Sequence, residues 1–170
     1  TKESLPEKLE LKWVRRLPAI SPAFHSSRLQ FDAGYEPVVA NGRVLIASSR
    51  NDSVTAYDIE TGKELWVYRT NGPIRFAPAV WEESVCFGSD DGCLYCVDLS
   101  TGKLRWKHRA TPNDRKLLGN RRLISVWPVR GGPVVADGQV YFAAGVWPFE
   151  GVFVLAMDIE TGEVVWRNER

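Results

Sequence analysis

An eleven-residue stretch occurs three times in this chain and restricts what it can fold into. The first copy reads Ala56-Tyr-Asp-Ile-Glu-Thr-Gly-Lys-Glu-Leu-Trp66. The second runs from Cys96 to Trp106 and the third from Ala156 to Trp166. Four features keep their spacing each time: a small residue (Ala56, Cys96, Ala156), an aspartate (Asp58, Asp98, Asp158), a Thr-Gly pair (Thr61-Gly62, Thr101-Gly102, Thr161-Gly162) and a tryptophan (Trp66, Trp106, Trp166). Asp is favoured at the first position of a type I turn because its carboxylate accepts backbone N–H bonds further on. Gly then supplies the positive φ of a bulge that passes the chain into a return strand. Each copy is thus a β-hairpin with a large apolar ring on its outgoing strand, and each Trp is expected to be a core residue.

Around each hairpin lie two further strand patterns. In the first unit Glu36 to Ala40 is followed by the tight-turn signal Asn41-Gly42 and the apolar run Arg43 to Ser48. The run's composition suits a strand buried on both faces. Ser53 to Asp58 and Lys63 to Arg69 complete a four-stranded meander. The second unit repeats it at 77–80, 84–88, 93–98 and 103–107, the third at 133–136, 139–144, 152–158 and 163–167. The motif tryptophans are 40 and then 60 residues apart, so about twenty extra residues fall between the second and third units. Four-stranded units repeating near 40 residues are the pattern of propeller blades. The expected architecture is all-β: an N-terminal strand over 9–16 carrying Trp13, blades over 35–69, 76–109 and 132–168, and an inserted loop over 110–130. No helix of useful length is expected.

The pattern resembles the tryptophan-docking motif of quinoprotein-type (PQQ-like) β-propeller repeats, a family with BamB-like members. Cys96 stands where Ala is usual and Glu163 where Lys is usual. The resemblance implies that each Trp packs between adjacent blades. Three blades do not close a ring, since propellers typically have about four to eight. By resemblance the chain is the N-terminal part of a 7–8-blade propeller, its 9–16 strand closing the circle, and the remaining blades of its own chain are its first partners. The family includes PQQ-dependent alcohol dehydrogenases and a non-catalytic lipoprotein propeller of the outer-membrane assembly machine. The resemblance therefore implies a periplasmic or outer-membrane-associated location, and leaves the cytoplasm open.

Composition narrows function only by exclusion. The 170 residues carry a net charge of +1, which gives no overall pull toward nucleic acid or membrane. No stretch of 18 apolar residues exists, so no transmembrane helix is encoded. The chain opens with Thr1, which reads as processed, trimmed or a fragment. Cys93 and Cys96 form a C-x-x-C, but on a strand residues three apart point to opposite faces. With Cys86 they read as small apolar strand residues and no metal site is expected. His25 and His108 are isolated, and no catalytic constellation is visible.

The candidate site follows from loop lengths. In a meander the first-to-second and third-to-fourth turns leave on one side, and here all are short. The second-to-third turns and interblade links leave on the other, which carries every long insertion: Arg16–Gly34, Ala110–Arg130 and Gly145–Gly151. Loops on a rigid scaffold are where sites usually sit. From Lys107 to Arg130 seven basic residues face one acid, Asp114. Arg75 and Arg130 precede innermost strands, where they either recognise an anion at the channel mouth or pair with Asp90, Asp91 or Glu150. Arg122, Trp127 and Trp147 add charge and aromatic surface. The expectation is a non-catalytic binding or scaffolding propeller, taking a protein or an anionic ligand on the long-loop face, with no cofactor in this segment. The alternative is a segment of a quinoprotein dehydrogenase, with PQQ and calcium.

Overall fold

The computed structural model describes residues 8–119 and 121–169. Three four-stranded antiparallel sheets follow one another along the chain, each a simple meander. Blade 1 comprises β1 (Val38–Ala40), β2 (Arg43–Ser48), β3 (Ser53–Asp58) and β4 (Glu64–Arg69). Blade 2 comprises β5 (Ala79–Trp81), β6 (Ser84–Gly88), β7 (Cys93–Asp98) and β8 (Leu104–Arg109). Between blades 2 and 3 lies a separate hairpin, β9 (Lys116–Gly119) and β10 (Arg122–Ser125). Blade 3 comprises β11 (Val134–Ala136), β12 (Gln139–Ala144), β13 (Phe153–Asp158) and β14 (Val164–Glu169). The one helical turn among the described residues is a 3₁₀ turn, Pro148–Glu150. The three blades form an open arc of a β-propeller.

The repeated stretch forms the same hairpin three times. In blade 1 the Gly62 amide donates to the Asp58 carbonyl at 2.8 Å, and the Thr61 amide and hydroxyl both donate to Asp58 Oδ1 at 2.7 Å. Asp98–Thr101 and Asp158–Thr161 repeat the arrangement. The Thr61 hydroxyl, then its amide, hold the Asp58 carboxyl below its usual pKa. At Asp98 an Arg105 contact adds to this and takes the pKa down to about 2. The register shifts between Ala56 and Tyr57 and at the equivalent points of the other blades, as a bulge requires.

The tryptophan docks forward onto the next blade. Trp66 Nε1 donates to the Leu99 carbonyl at 2.9 Å, and Trp106 Nε1 donates to the Ile159 carbonyl at 2.8 Å. Each indole lies flat on the motif glycine of that blade. A Cβ on Gly102 would meet the Trp66 ring at 2.6 Å, and one on Gly162 would meet Trp106 at 2.6 Å. The glycines are also left-handed, with φ of 66°, 69° and 73° at Gly62, Gly102 and Gly162. Gly is thus required twice at one position, for its backbone and for its missing side chain.

Two cores fill the gaps between blades. Leu45, Val54 and Trp66 of blade 1 pack with Val85, Phe87, Tyr95 and Leu99 of blade 2. Cys86 and Cys96 of blade 2 pack with Phe142, Leu155 and Met157 of blade 3. Cys93 belongs to the first core and Cys96 to the second, so the C-x-x-C points to opposite faces of one sheet. All three cysteines are free thiols. Burial on both faces is a property of blade 2, whose β6 is buried throughout. The β2 strand of blade 1 is only partly covered, because among the described residues one face alone of its sheet packs on another blade.

Two sequence expectations need correction here. Residues 9–16 do not form a strand and join none of the sheets. A strand exists only against a hydrogen-bonding neighbour, and this segment meets blade 1 through side chains instead. Trp13 Nε1 donates to the Ile59 carbonyl at 2.8 Å and its ring covers Gly62, while Arg15 Nε donates to the Gly62 carbonyl. Trp13 therefore keeps the docking role without the strand. Trp166 is the reverse case. It sits on β14 but is 44% exposed, with no blade among the described residues packed on it, whereas Trp66 is 8% exposed.

The double demand on glycine is open to measurement. Gly42 has φ of 71° with nothing within 4 Å of an added Cβ, so Gly42→Ala isolates the backbone cost, about 1–2 kcal/mol. Gly102→Ala adds displacement of Trp66 and is expected to approach the cost of Trp66→Ala, about 3–5 kcal/mol. Trp166→Ala is expected to cost under about 1 kcal/mol, as other exposed substitutions do. Urea denaturation of the four variants orders them, and equal losses for Gly42→Ala and Gly102→Ala would remove the docking role of Gly102.

Candidate functional site

The long-loop side of the arc is assembled from segments far apart in sequence. The N-terminal segment contributes Pro18 to Asp32, the blade 1–2 link contributes 70–78, and the β6–β7 turn contributes Ser89 to Gly92. The β9–β10 hairpin and residues 126–132 come next, followed by 145–152. The expected irregular loop over 110–130 is therefore partly ordered, since Leu118 pairs with Leu123 and Leu117 with Ile124. The Gly-Asn sequence at 119–120 is a general turn signal, although Gly119 itself ends β9 and pairs with Arg122.

A buried ion cluster holds these segments. Arg75 pairs with Asp32 through Nη1 at 2.5 Å and with Asp90 through Nε at 2.7 Å. Arg130 reaches the same Asp90 through Nε and Nη2, both at 2.9 Å. The Arg75 side chain is only 4% exposed. Two guanidinium groups thus meet two carboxylates, which is the condition under which buried charge is tolerated. Backbone groups complete the set: the Ala23 amide donates to Asp32, Arg75 Nη1 donates to the Ser21 carbonyl, and the Ser125 amide donates to the Asp90 carbonyl. Arg130 also lies over the Phe24 ring at 5.8 Å. Asp91, next in sequence, accepts from the buried Tyr95 hydroxyl and from the Cys93 amide. Burial, then the Asp91 bond, raises the Tyr95 pKa far above its usual range, and burial pushes the Cys93 thiol up to about 11.

The five sequence-selected binding residues are placed as follows. Arg75 and Arg130 are brought together, with their charge taken up by Asp32 and Asp90. Arg122 reaches blade 1, where it pairs with Asp52 and donates to the Ser49 carbonyl at 3.2 Å. Trp127 is buried in the second core, edge-on to Phe153 and under Arg115, with its Nε1 donating to the Glu150 carbonyl. Trp147 is half-exposed and stacks on Phe149, which is 82% exposed.

Several concavities open on this side, and two of them bear on binding. The first is apolar, about 250 Å³, lined by Phe24, Phe31, Phe76, Arg130, Gly145 and Val146, with Phe31 stacked on Phe76. The second is a basic cleft of about 410 Å³ lined by Ser21, His25, Arg50, Arg121 and Arg122. Sequence reading passed over Asp32, Phe24 and Arg50, which lie in loops without periodicity and meet their partners only in three dimensions. Among the described residues no group of three or more His, Cys, Asp or Glu is placed to hold a metal ion. No helix among the described residues is long and apolar enough to cross a membrane.

Stacked meanders that dock a tryptophan onto the glycine of the next blade define a β-propeller of the quinoprotein type. The family of outer membrane protein assembly factor BamB matches residues 10–127 and again 85–170, and the chain belongs to this family. Its relatives have differing functions. The dehydrogenase subunit of alcohol dehydrogenase (quinone) from Gluconobacter oxydans (strain 621H) is 35% identical over 143 residues, covering 77% of this chain and 18% of that protein. The outer membrane protein assembly factor BamB of Yersinia pestis is 29% identical over 138 residues, covering 78% of this chain and 33% of that protein. The crystal structure of quinohemoprotein alcohol dehydrogenase from Comamonas testosteroni superposes with a TM-score of 0.64 at 27% identity, over 80% of this chain and 21% of that one. The chain therefore spans about a fifth of the length of the dehydrogenase relatives.

Two predictions follow from these placements. Asp90→Ala leaves Arg75 and Arg130 as under-compensated buried charges and is expected to cost about 3–5 kcal/mol; a urea midpoint within error of the parent would mean that the cluster adds nothing. The second concerns His108 on β8, whose Nε2 is buried without a hydrogen-bond partner. Burial, then the charge of Arg167, lowers its pKa below 6.5. The unfolded chain then binds this proton more readily than the folded one, so stability falls as pH drops through 6.5. The urea midpoint is expected to fall between about pH 7.5 and pH 5.5, and to fall less in His108→Gln.

Proposed function

We propose that this chain is part of a non-catalytic binding or scaffolding propeller of the bacterial envelope, with the long-loop side as its recognition surface. The observation that carries the reading is the division of that side into a fixed floor and an open rim. The Arg75–Asp90–Arg130 cluster fixes the floor, while Leu118, Leu123, Trp147 and Phe149 project from the rim into solvent. Exposed apolar side chains on a rigid base are what a partner surface covers. A protein named as an assembly factor among the relatives supports the same reading.

The dehydrogenase relatives favour a second reading, in which the segment belongs to a quinoprotein enzyme. The residues present fit a quinone and calcium poorly. Arg130, the one charged wall of the aromatic pocket, is committed to Asp90. Asp32, Asp52, Asp90 and Asp91 are each engaged by an arginine or a tyrosine. No step through the cofactor is derived for these residues.

Both readings meet in one pair of assays. Supplying PQQ and Ca²⁺ to the protein with alcohols and an artificial electron acceptor is expected to give no dye reduction. Capture of an envelope protein by the tagged chain is expected, and to be lost in Leu118→Glu/Phe149→Glu. Quinone-dependent dye reduction would establish the enzyme reading instead, and capture unaffected by the double variant would move the recognition surface elsewhere.

A further inference from the structure

The basic cleft is built from three parts of the chain. Ser21 and His25 come from the N-terminal segment, Arg50 from the β2–β3 turn, and Arg121 and Arg122 from the β9–β10 hairpin. The parts are tied to one another at Ser49. Its hydroxyl accepts from the Ser21 amide at 3.2 Å, and its carbonyl accepts from Arg122 Nη1 at 3.2 Å. Arg122 is further anchored by Asp52. The cleft wall is thus held by its own bonds.

Its charge is not balanced. Three guanidinium groups and no carboxylate line the cleft, and nearby Asp52 and Asp32 are already bound to Arg122 and Arg75. Arg50 and Arg121 are exposed and make no ion pair with a described residue. Arg121 has φ of 65°, a left-handed conformation that a non-glycine residue keeps only where its surroundings hold it. Arg75 and Arg130, a short distance away in the fold, have every charge met by a carboxylate. The two sets of arginines are therefore treated differently by the same structure, one closed and one open.

We propose that this cleft binds a small oxyanion ligand carrying two or more negative charges, of the phosphoryl or polycarboxylate class. A guanidinium presents paired N–H donors that match carboxylate and phosphoryl oxygens. Ser21 and His25 add polar groups to the wall that can orient such a ligand. The volume of about 410 Å³ lies in the range of small-molecule sites. No Phe, Tyr or Trp lines the cleft. Single-stranded nucleic acid sites combine a basic groove with aromatic stacking platforms, so a small ligand fits better than a strand. The proposal rests on the long-loop side being the recognition surface.

Titration calorimetry with inorganic pyrophosphate and with citrate, on the full chain at about 0.15 M salt, tests it. Saturable binding of one probe or both, at about one per chain, is expected, and the tighter probe assigns the phosphoryl or the carboxylate source. Arg50→Gln/Arg121→Gln is expected to weaken binding by at least about tenfold without moving the melting temperature, because both side chains are exposed and unpaired. Two outcomes overturn the proposal: neither probe binds saturably, or the double variant binds as the parent does. Binding only of a single-stranded oligonucleotide, abolished by added salt, overturns it also. If the probes fail while protein capture through Leu118 and Phe149 persists, the cleft is excluded and the recognition surface stands.

Discussion

The whole arc depends on an indole lying on a glycine. A blade of this size cannot bury both faces alone, so its stability is mostly in the contact with its neighbour. A buried indole removes on the order of 200 Å² from water, worth at most about 5 kcal/mol at 25 cal/mol per Å². It achieves this only if the ring can lie flat and its N–H is satisfied. The left-handed glycine provides the flat seat and the carbonyl three residues before it accepts the N–H. Asp58, Asp98 and Asp158 hold the turns that present both. The repeat is best understood as a docking module, and its three copies set the number and spacing of blades.

The long-loop side solves a different problem. Its segments have little periodic structure to pair with, so their backbone and charges need partners from elsewhere in the chain. Asp90 is the centre of that arrangement, since it meets Arg75 and Arg130 by its carboxylate and Pro73 and Ser125 by its backbone. Replacing these groups by apolar residues of similar size would often be neutral for stability. Their advantage lies in direction, because a guanidinium fork accepts a carboxylate in few orientations. The loops are thereby aimed, which is what a recognition surface needs from its base.

Much of this was legible in the residues. Strand positions in all three blades follow from alternating patterns and from Asn41-Gly42, Thr61-Gly62 and Asp137-Gly138, because those are local signals. The opposite-facing Cys93 and Cys96 follow from strand geometry alone. The site was less legible. Asp32, Arg75, Asp90 and Arg130 are separated by up to 98 positions in number and no local rule joins them. Arg75 could be selected for its place before β5, yet whether its charge was open or closed depended on Asp32, in a loop without pattern. Arg122 was selected for charge, while its exposed neighbours Arg50 and Arg121 became distinct only when their lack of partners could be seen. Trp13 shows the converse, a docking role that survives although the expected strand does not form.

Trp13 occupies the first docking seat of the series. Blade-to-blade docking is a heterologous interface: each blade offers a ring at one end and accepts one at the other. Such interfaces close into rings or run on into fibres. Trp66 fills the socket at Gly102 and Trp106 the socket at Gly162, so each of these blades is received by the one after it. The Gly62 socket is filled from within the same chain by Trp13, whose indole N–H already holds the Ile59 carbonyl. The N-terminal segment thus acts as a cap on blade 1, and the three motif glycines of the arc are each covered by a ring of the same chain.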